Sequence, residues 1–114
     1  MNPPSANVLE VVPQAAAQLI ADGAVLLDVR EPAEWRAGHS PSAQHLPLAE
    51  VAPEKLPAGS LVVTVCRSGA RSARAADLLA RAGVDVRNLT GGMTAWAGAG
   101  LPVVDAGGRP GAIV

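Results

Sequence analysis

Short apolar runs alternate with stretches of helical periodicity along the whole chain. Residues 8–12, 24–29, 43–46, 61–65 and 84–89 are compact, rich in Val and Leu, and bounded by turn residues, which predicts strands. Residues 24–29 and 61–65 are almost wholly apolar, as expected of strands covered on both faces. Between the runs, apolar positions return every three to four residues. Pro13 suits a first helical turn, and residues 14–21 continue it with an apolar face around Ala15, Ala16, Leu19 and Ile20 until Asp22 and Gly23 end it. Residues 31–37 predict a short helix carrying Trp35. Residues 48–56 read as helical but broken by Pro53. Residues 72–82 form the strongest amphipathic pattern, with Ala75, Leu78, Leu79 and Ala82 facing inward and Arg74, Asp77 and Arg81 outward. A last short helix is predicted over 93–99, with Trp96 on its inner side.

Strand and helix signals in alternation predict an α/β domain with a mainly parallel sheet. In such sheets, ligands bind at the carboxyl ends of the strands. Asp28 and Cys66 both fall at such ends, which points to one functional edge.

Composition narrows the picture. The chain has 114 residues, 49% of them hydrophobic, enough for one domain with a real core. That domain is expected over residues 8–104, with residues 1–7 and the Gly/Pro-rich residues 105–114 as flexible termini. There is no Phe or Tyr, so Trp35 and Trp96 are read as core anchors in a core of Val, Leu and Ala. A net charge of −1 gives no footprint for nucleic acid or an anionic membrane. No apolar run approaches spanning length and the first residues do not resemble a signal peptide, so the cytoplasm is the expected compartment. A single cysteine cannot form an internal disulfide.

That cysteine marks the chemistry. Residues 64–72, Thr-Val-Cys-Arg-Ser-Gly-Ala-Arg-Ser, take a buried strand into a tight loop and then directly into a helix N-terminus. Such a loop turns several backbone N–H groups toward one point, and the helix dipole adds positive potential there. Arg67 and Arg71 add full charges. All three effects favour thiolate over thiol, so Cys66 is expected to titrate below its ordinary value of roughly 8.5. Gly69 permits a backbone conformation with φ > 0. The competing reading, a small apolar residue ending a core strand, leaves the glycine, the arginines and the following helix unexplained. Elsewhere the signals are structural. His39 and His45 lack the spacing and company of a metal site, so no metal is expected. Asp28, Arg30 and Glu31 read as an ion-pair network between loops, and Gly91-Gly92 as a turn.

With these pieces in place, the chain resembles the rhodanese sulfurtransferase family. The matching segments are Leu27-Asp28-Val29-Arg30-Glu31 with Glu34-Trp35, Gly38-His39, and Ala43 leading into Leu46-Pro47-Leu48. The cysteine loop and Leu89-Thr90-Gly91-Gly92-Met93 with Trp96 and Leu101-Pro102 complete the set. The resemblance covers roughly residues 8–104. It implies a rhodanese-like fold, a five-stranded sheet with helices on both faces, and an active-site loop beginning at Cys66. It also implies that Cys66 takes a sulfane sulfur from a donor such as thiosulfate and passes it to a thiophilic acceptor. The backbone of Arg67, Ser68, Gly69, Ala70, Arg71 and Ser72 would then cradle the transferred sulfur or the displaced anion. The two arginines would attract an anionic donor, and Ser68 or Ser72 would supply a hydroxyl. The implied partners are a small anionic sulfur donor and a thiol or cyanide-like acceptor, or an acceptor protein, with no cofactor. Two departures, Ser40 in place of an apolar residue and Pro41-Ser42-Ala43 in place of Pro-Gly-Ala, affect a turn away from the cysteine.

Two other readings compete. Cysteine-based phosphatases and arsenate reductases resemble this loop, but they place five residues between cysteine and arginine. Here four separate Cys66 from Arg71, and Ser72 stands at the position reserved for arginine. A persulfide relay or docking module for a partner protein is the third reading, and the intact cysteine loop speaks for relay over inert docking.

Overall fold

The computed structural model describes residues 8–114. The expectation for residues 1–7 lies outside the described residues. In chain order the elements are β1 (Leu9–Val11), α1 (Pro13–Ala21), β2 (Val25–Asp28), α2 (Pro32–Ala37), β3 (Ala43–His45), two 3-10 turns (Leu48–Glu50 and Pro53–Lys55), β4 (Val62–Val65), α3 (Ala70–Arg81), β5 (Val86–Leu89) and α4 (Gly92–Gly98). The strands form one five-stranded sheet in the order β1-β5-β4-β2-β3, with every pairing parallel. This is the α/β architecture expected from the alternating pattern.

Period-two alternation divides the core between the sheet's faces. Leu27, Val29, Val62, Cys66 and Val86 pack on one face with Ala75, Ala76 and Leu79 of α3. Leu26, Val63, Val65 and Leu89 pack on the other with Ala16 of α1 and Met93 and Trp96 of α4. β4 is central and buried at every position, which accounts for its unbroken apolar and β-branched run.

Two expectations change. The helix expected over 72–82 begins two residues earlier, at Ala70, because Gly69 adopts φ 118° and turns the chain straight into it. It is also rotated: Ser72, Ala75, Ala76 and Leu79 are buried, while Leu78 is 45% exposed and Ala82 is exposed. Both stripes have helical spacing, so periodicity alone did not choose between them; the observed one brings the Ser72 hydroxyl to the Cys66 sulfur. Residues 48–56 form two short 3-10 turns instead of one helix, since Pro53 has no N–H to continue the ladder. Residues 105–114 make hydrogen bonds to the domain. Val104 bridges His39 and Pro110, Gly111 N donates to Val103 O at 3.1 Å, and Ala112 N donates to Ala37 O at 2.9 Å. The Asp105 carboxylate accepts from the N–H groups of Gly107 and Arg109, closing a tight turn. Gly38 lies so close to the Ala112 backbone that a side chain there would collide with it. The glycines and prolines of this tail serve close approach and turning.

Candidate active site

Parallel pairing places the ends of β2 and β4 side by side, with Asp28 opposite Val65. Cys66 follows directly, and its chain leaves the sheet through a loop that ends at Gly69, the N-cap of α3. The sulfur lies within this loop and the residue is only 1% exposed, so it is recessed. Gly69 N donates to Cys66 Sγ at 3.0 Å, and Ser72 Oγ lies 3.3 Å from the sulfur.

The loop's outward side is fastened by the start of α4. Met93 N donates to Cys66 O at 2.8 Å and Thr94 N to Arg67 O at 3.1 Å. Gly92, at φ 59°, sits against these two carbonyls with no room for a β-carbon. With the carbonyls of Cys66 and Arg67 turned toward α4, the loop is free to present N–H groups to the sulfur.

These bonds set the electrostatics. Burial pushes the Cys66 thiol up, but hydrogen bonds from the Ser72 side chain and the backbone of Ser72, Gly69 and Ser68 outweigh it, and the net shift is downward. The direction is the one expected from the sequence, although hydrogen bonds rather than arginine charges lead among its causes. Arg71 is engaged elsewhere: its Nη1 and Nη2 bind Glu34 Oε1 and Oε2 at 2.7 and 2.8 Å. The paired guanidinium holds the Glu34 carboxyl down to about 2, and the pair ties α2 to the start of α3. Arg67, Ser68 and Ala70 are exposed around the loop's rim. The six expected loop residues therefore separate: Gly69, Ser72 and the backbone of Ser68 bond the sulfur, Arg71 binds a neighbouring helix, and Arg67 and Ala70 face solvent.

Of the expected network of Asp28, Arg30 and Glu31, Asp28 and Arg30 form a buried ion pair and Glu31 is exposed. Arg30 Nη2 bonds Asp28 Oδ2 at 2.7 Å and Gly38 O at 2.6 Å, and both side chains are 0% exposed. His39 Nδ1 lies 2.6 Å from Trp35 O, and His45 Nε2 lies 2.7 Å from Arg30 O. A carbonyl only accepts, so each of these ring nitrogens carries a proton. Both rings stack on Trp35, at centroid distances of 3.7 and 4.8 Å. Trp35 is thus a stacking partner in a half-buried cluster, whereas Trp96 is a core anchor whose Nε1 donates to Pro102 O. Among the described residues no cluster of His, Cys, Asp or Glu could hold a metal ion, and no helix is long and apolar enough to cross a membrane.

Sequence reasoning missed Asn88. It is 3% exposed on β5, and its amide donates to Gly69 O at 3.2 Å and to Glu10 Oε2 at 2.9 Å. The available signal was a lone amide two positions after Val86, on the same face of a strand that ends at the same sheet edge. Glu34 was noted within the Glu34-Trp35 segment, but its pairing with Arg71 spans 37 positions and has no local signature.

Residues 12–99 match the family model described as Rhodanese-like domain. The chain belongs to the rhodanese-like family. A sulfurtransferase of Allochromatium vinosum is 41% identical over 102 residues, covering 85% of this chain and 95% of that protein. An uncharacterized protein of Synechocystis is also 41% identical, over 92 residues; the match covers 78% of this chain and 51% of the relative, so the chain spans about half that protein's length. Among solved structures, the thiosulfate sulfurtransferase of Pseudomonas aeruginosa superposes with a TM-score of 0.78 at 26% identity. That match covers 96% of this chain and 22% of the larger one. The rhodanese-like domain and its sulfurtransferase relatives give the chain a sulfurtransferase-family role.

Proposed function

We propose that this rhodanese-like domain transfers sulfane sulfur through a persulfide on Cys66. The observation that carries the reading is the convergence of Gly69 N–H and the Ser72 hydroxyl on Cys66 Sγ at the N-terminus of α3. The reaction is a double displacement. The Cys66 thiolate attacks the outer sulfur of a donor such as thiosulfate; a new S–S bond forms, the donor's S–S bond breaks, and sulfite leaves with the bonding pair. The acceptor, a thiolate or cyanide, then attacks the outer sulfur of the persulfide, which breaks the Cys66 S–S bond and returns the thiolate. No proton or external electron is needed when thiolates react. Loop N–H groups stabilise the anionic persulfide, and exposed Arg67 rather than Glu34-bound Arg71 meets the incoming anion. Under this reading the domain works in the reducing cytoplasm, where an unpaired cysteine stays a thiol.

Exposing the reduced protein to thiosulfate and reading its intact mass tests this. The expected result is a gain of one sulfur that cyanide removes as thiocyanate, absent from Cys66→Ala. No gain with thiosulfate or with glutathione persulfide would overturn the proposal. A second reading, relay to a protein thiol, is favoured by the recessed sulfur together with exposed Leu78 on the helix leaving the loop. Slow turnover with thiosulfate but rapid transfer to a protein thiol would select it.

A further inference from the structure

The Ser72 hydroxyl has one proton and two acceptors within reach, Cys66 Sγ at 3.3 Å and Gly69 O at 3.2 Å. A proton given to the carbonyl is lost to the sulfur, so the site depends on what else satisfies Gly69 O. Two other donors reach it: Ala73 N at 3.1 Å, as the first bond of α3, and Asn88 Nδ2 at 3.2 Å. A carbonyl has two lone pairs. Ala73 and Asn88 fill both.

Asn88 is held for this purpose by its neighbours across the sheet. It stands in register with Thr64 on β4 and with Glu10 on β1. Asn88 Nδ2 donates to Glu10 Oε2 at 2.9 Å, and the single Thr64 hydroxyl proton has two acceptors within reach, Asn88 Oδ1 at 3.1 Å and Arg87 O at 3.3 Å. The reversed amide would set Oδ1 against two acceptors, Glu10 and Gly69 O, so only one orientation satisfies the ladder. Thr64, Asn88 and Cys66 share the face covered by α3, with α3 beginning over Gly69.

We infer that Asn88 is a positioning residue for the cysteine loop: by saturating the Gly69 carbonyl it directs the Ser72 hydroxyl proton onto Cys66 Sγ. The inference rests on the reading of Cys66 as the nucleophile. The charged groups around the loop are Arg67 at its rim, Arg71 on α3 with Glu34 on α2, and Glu10 on β1. None of these is itself substituted below; Glu10 loses one bond in Asn88→Leu and keeps its charge.

The test is the rate of Cys66 alkylation by iodoacetamide against pH, which needs no sulfur donor, for wild type, Asn88→Leu, Ser72→Ala and the double variant. Asn88→Leu should move the midpoint of the profile upward and slow alkylation at neutral pH about threefold to tenfold, the size of one hydrogen bond. In the Ser72→Ala background the same change should add nothing, because no hydroxyl is left to direct. A folded Asn88→Leu with an unmoved midpoint, or a shift that adds in full to that of Ser72→Ala, would overturn the inference. Should Asn88→Leu not fold, Asn88→Ala removes the same amide with less bulk; an upward shift supports the inference and an unmoved midpoint overturns it. An intact alkylation profile with no persulfide formation would count against sulfur transfer and leave this inference standing.

Discussion

Two neighbouring strand ends share one edge of the sheet and use their polar groups in opposite ways. At the end of β2, Asp28, Arg30 and the carbonyls of Gly38 and Trp35 bond one another and the two histidines. At the end of β4, donors converge on Cys66 Sγ, an atom with no cation bonded to it among the described residues. The first arrangement is a closed network whose bonds are spent holding loops. The second keeps its bonding capacity aimed at one reactive atom. A shared edge therefore predicts where chemistry can occur, and the direction of the donors says at which strand it does.

The difference can be broken most forcefully on the structural side. Arg30→Met leaves the Asp28 carboxylate buried without its partner and orphans the Gly38 carbonyl. It should cost about 3–5 kcal/mol of stability, measured by urea unfolding. In the fraction that folds, the pH profile of Cys66 alkylation should stay in place, because Arg30 bonds no loop atom. A stable variant with a displaced profile would mean that the two strand ends are one site.

The site itself breaks from the opposite side of the loop. Gly92→Ala forces a β-carbon against the carbonyls of Cys66 and Arg67, and against a backbone at φ 59°. The expected cost is about 1–3 kcal/mol in stability. Persulfide formation should fall further than stability does, because those carbonyls orient the cradle. Equal loss in both would reduce Gly92 to a packing position.

These contrasts also mark what the sequence could reveal. β4 and the start of α3 were legible because an apolar run, a glycine and a helical stripe adjoin in sequence, so the local chain builds most of the cradle. The partners of that cradle were not. Asn88 reaches Gly69 from 19 positions away, and Glu34 reaches Arg71 from 37. Neither pairing leaves a periodicity. Arg71 looked like a free cation for the donor because its carboxylate belongs to another helix. The inward stripe of α3 was misread for a related reason: Leu78 is more hydrophobic than Ser72, yet Ser72 is the buried one. Its hydroxyl bonds the sulfur and the Gly69 carbonyl, which offsets the burial of a polar group.

The smallest effect separates the two strand ends by pH. Glu34 lies between them, bonded to Arg71 through its carboxylate and to Arg30 through its carbonyl. Its carboxyl is held down to about 2 by Arg71. A depressed carboxylate stabilises the fold above its ordinary range near 4.5 and loses that contribution as pH falls toward 2. Because Arg71 is 36% exposed, the contribution should be only on the order of 1 kcal/mol, and weaker in high salt. Glu34→Gln should therefore lower unfolding stability by that amount at neutral pH, and the gap to wild type should close as the pH approaches 2. The same variant releases the Arg71 guanidinium at the cysteine loop. A fall in the thiosulfate concentration needed for half-maximal persulfide formation would show that Glu34 restrains a donor-binding cation. An unchanged value would show that the pair only joins the helices.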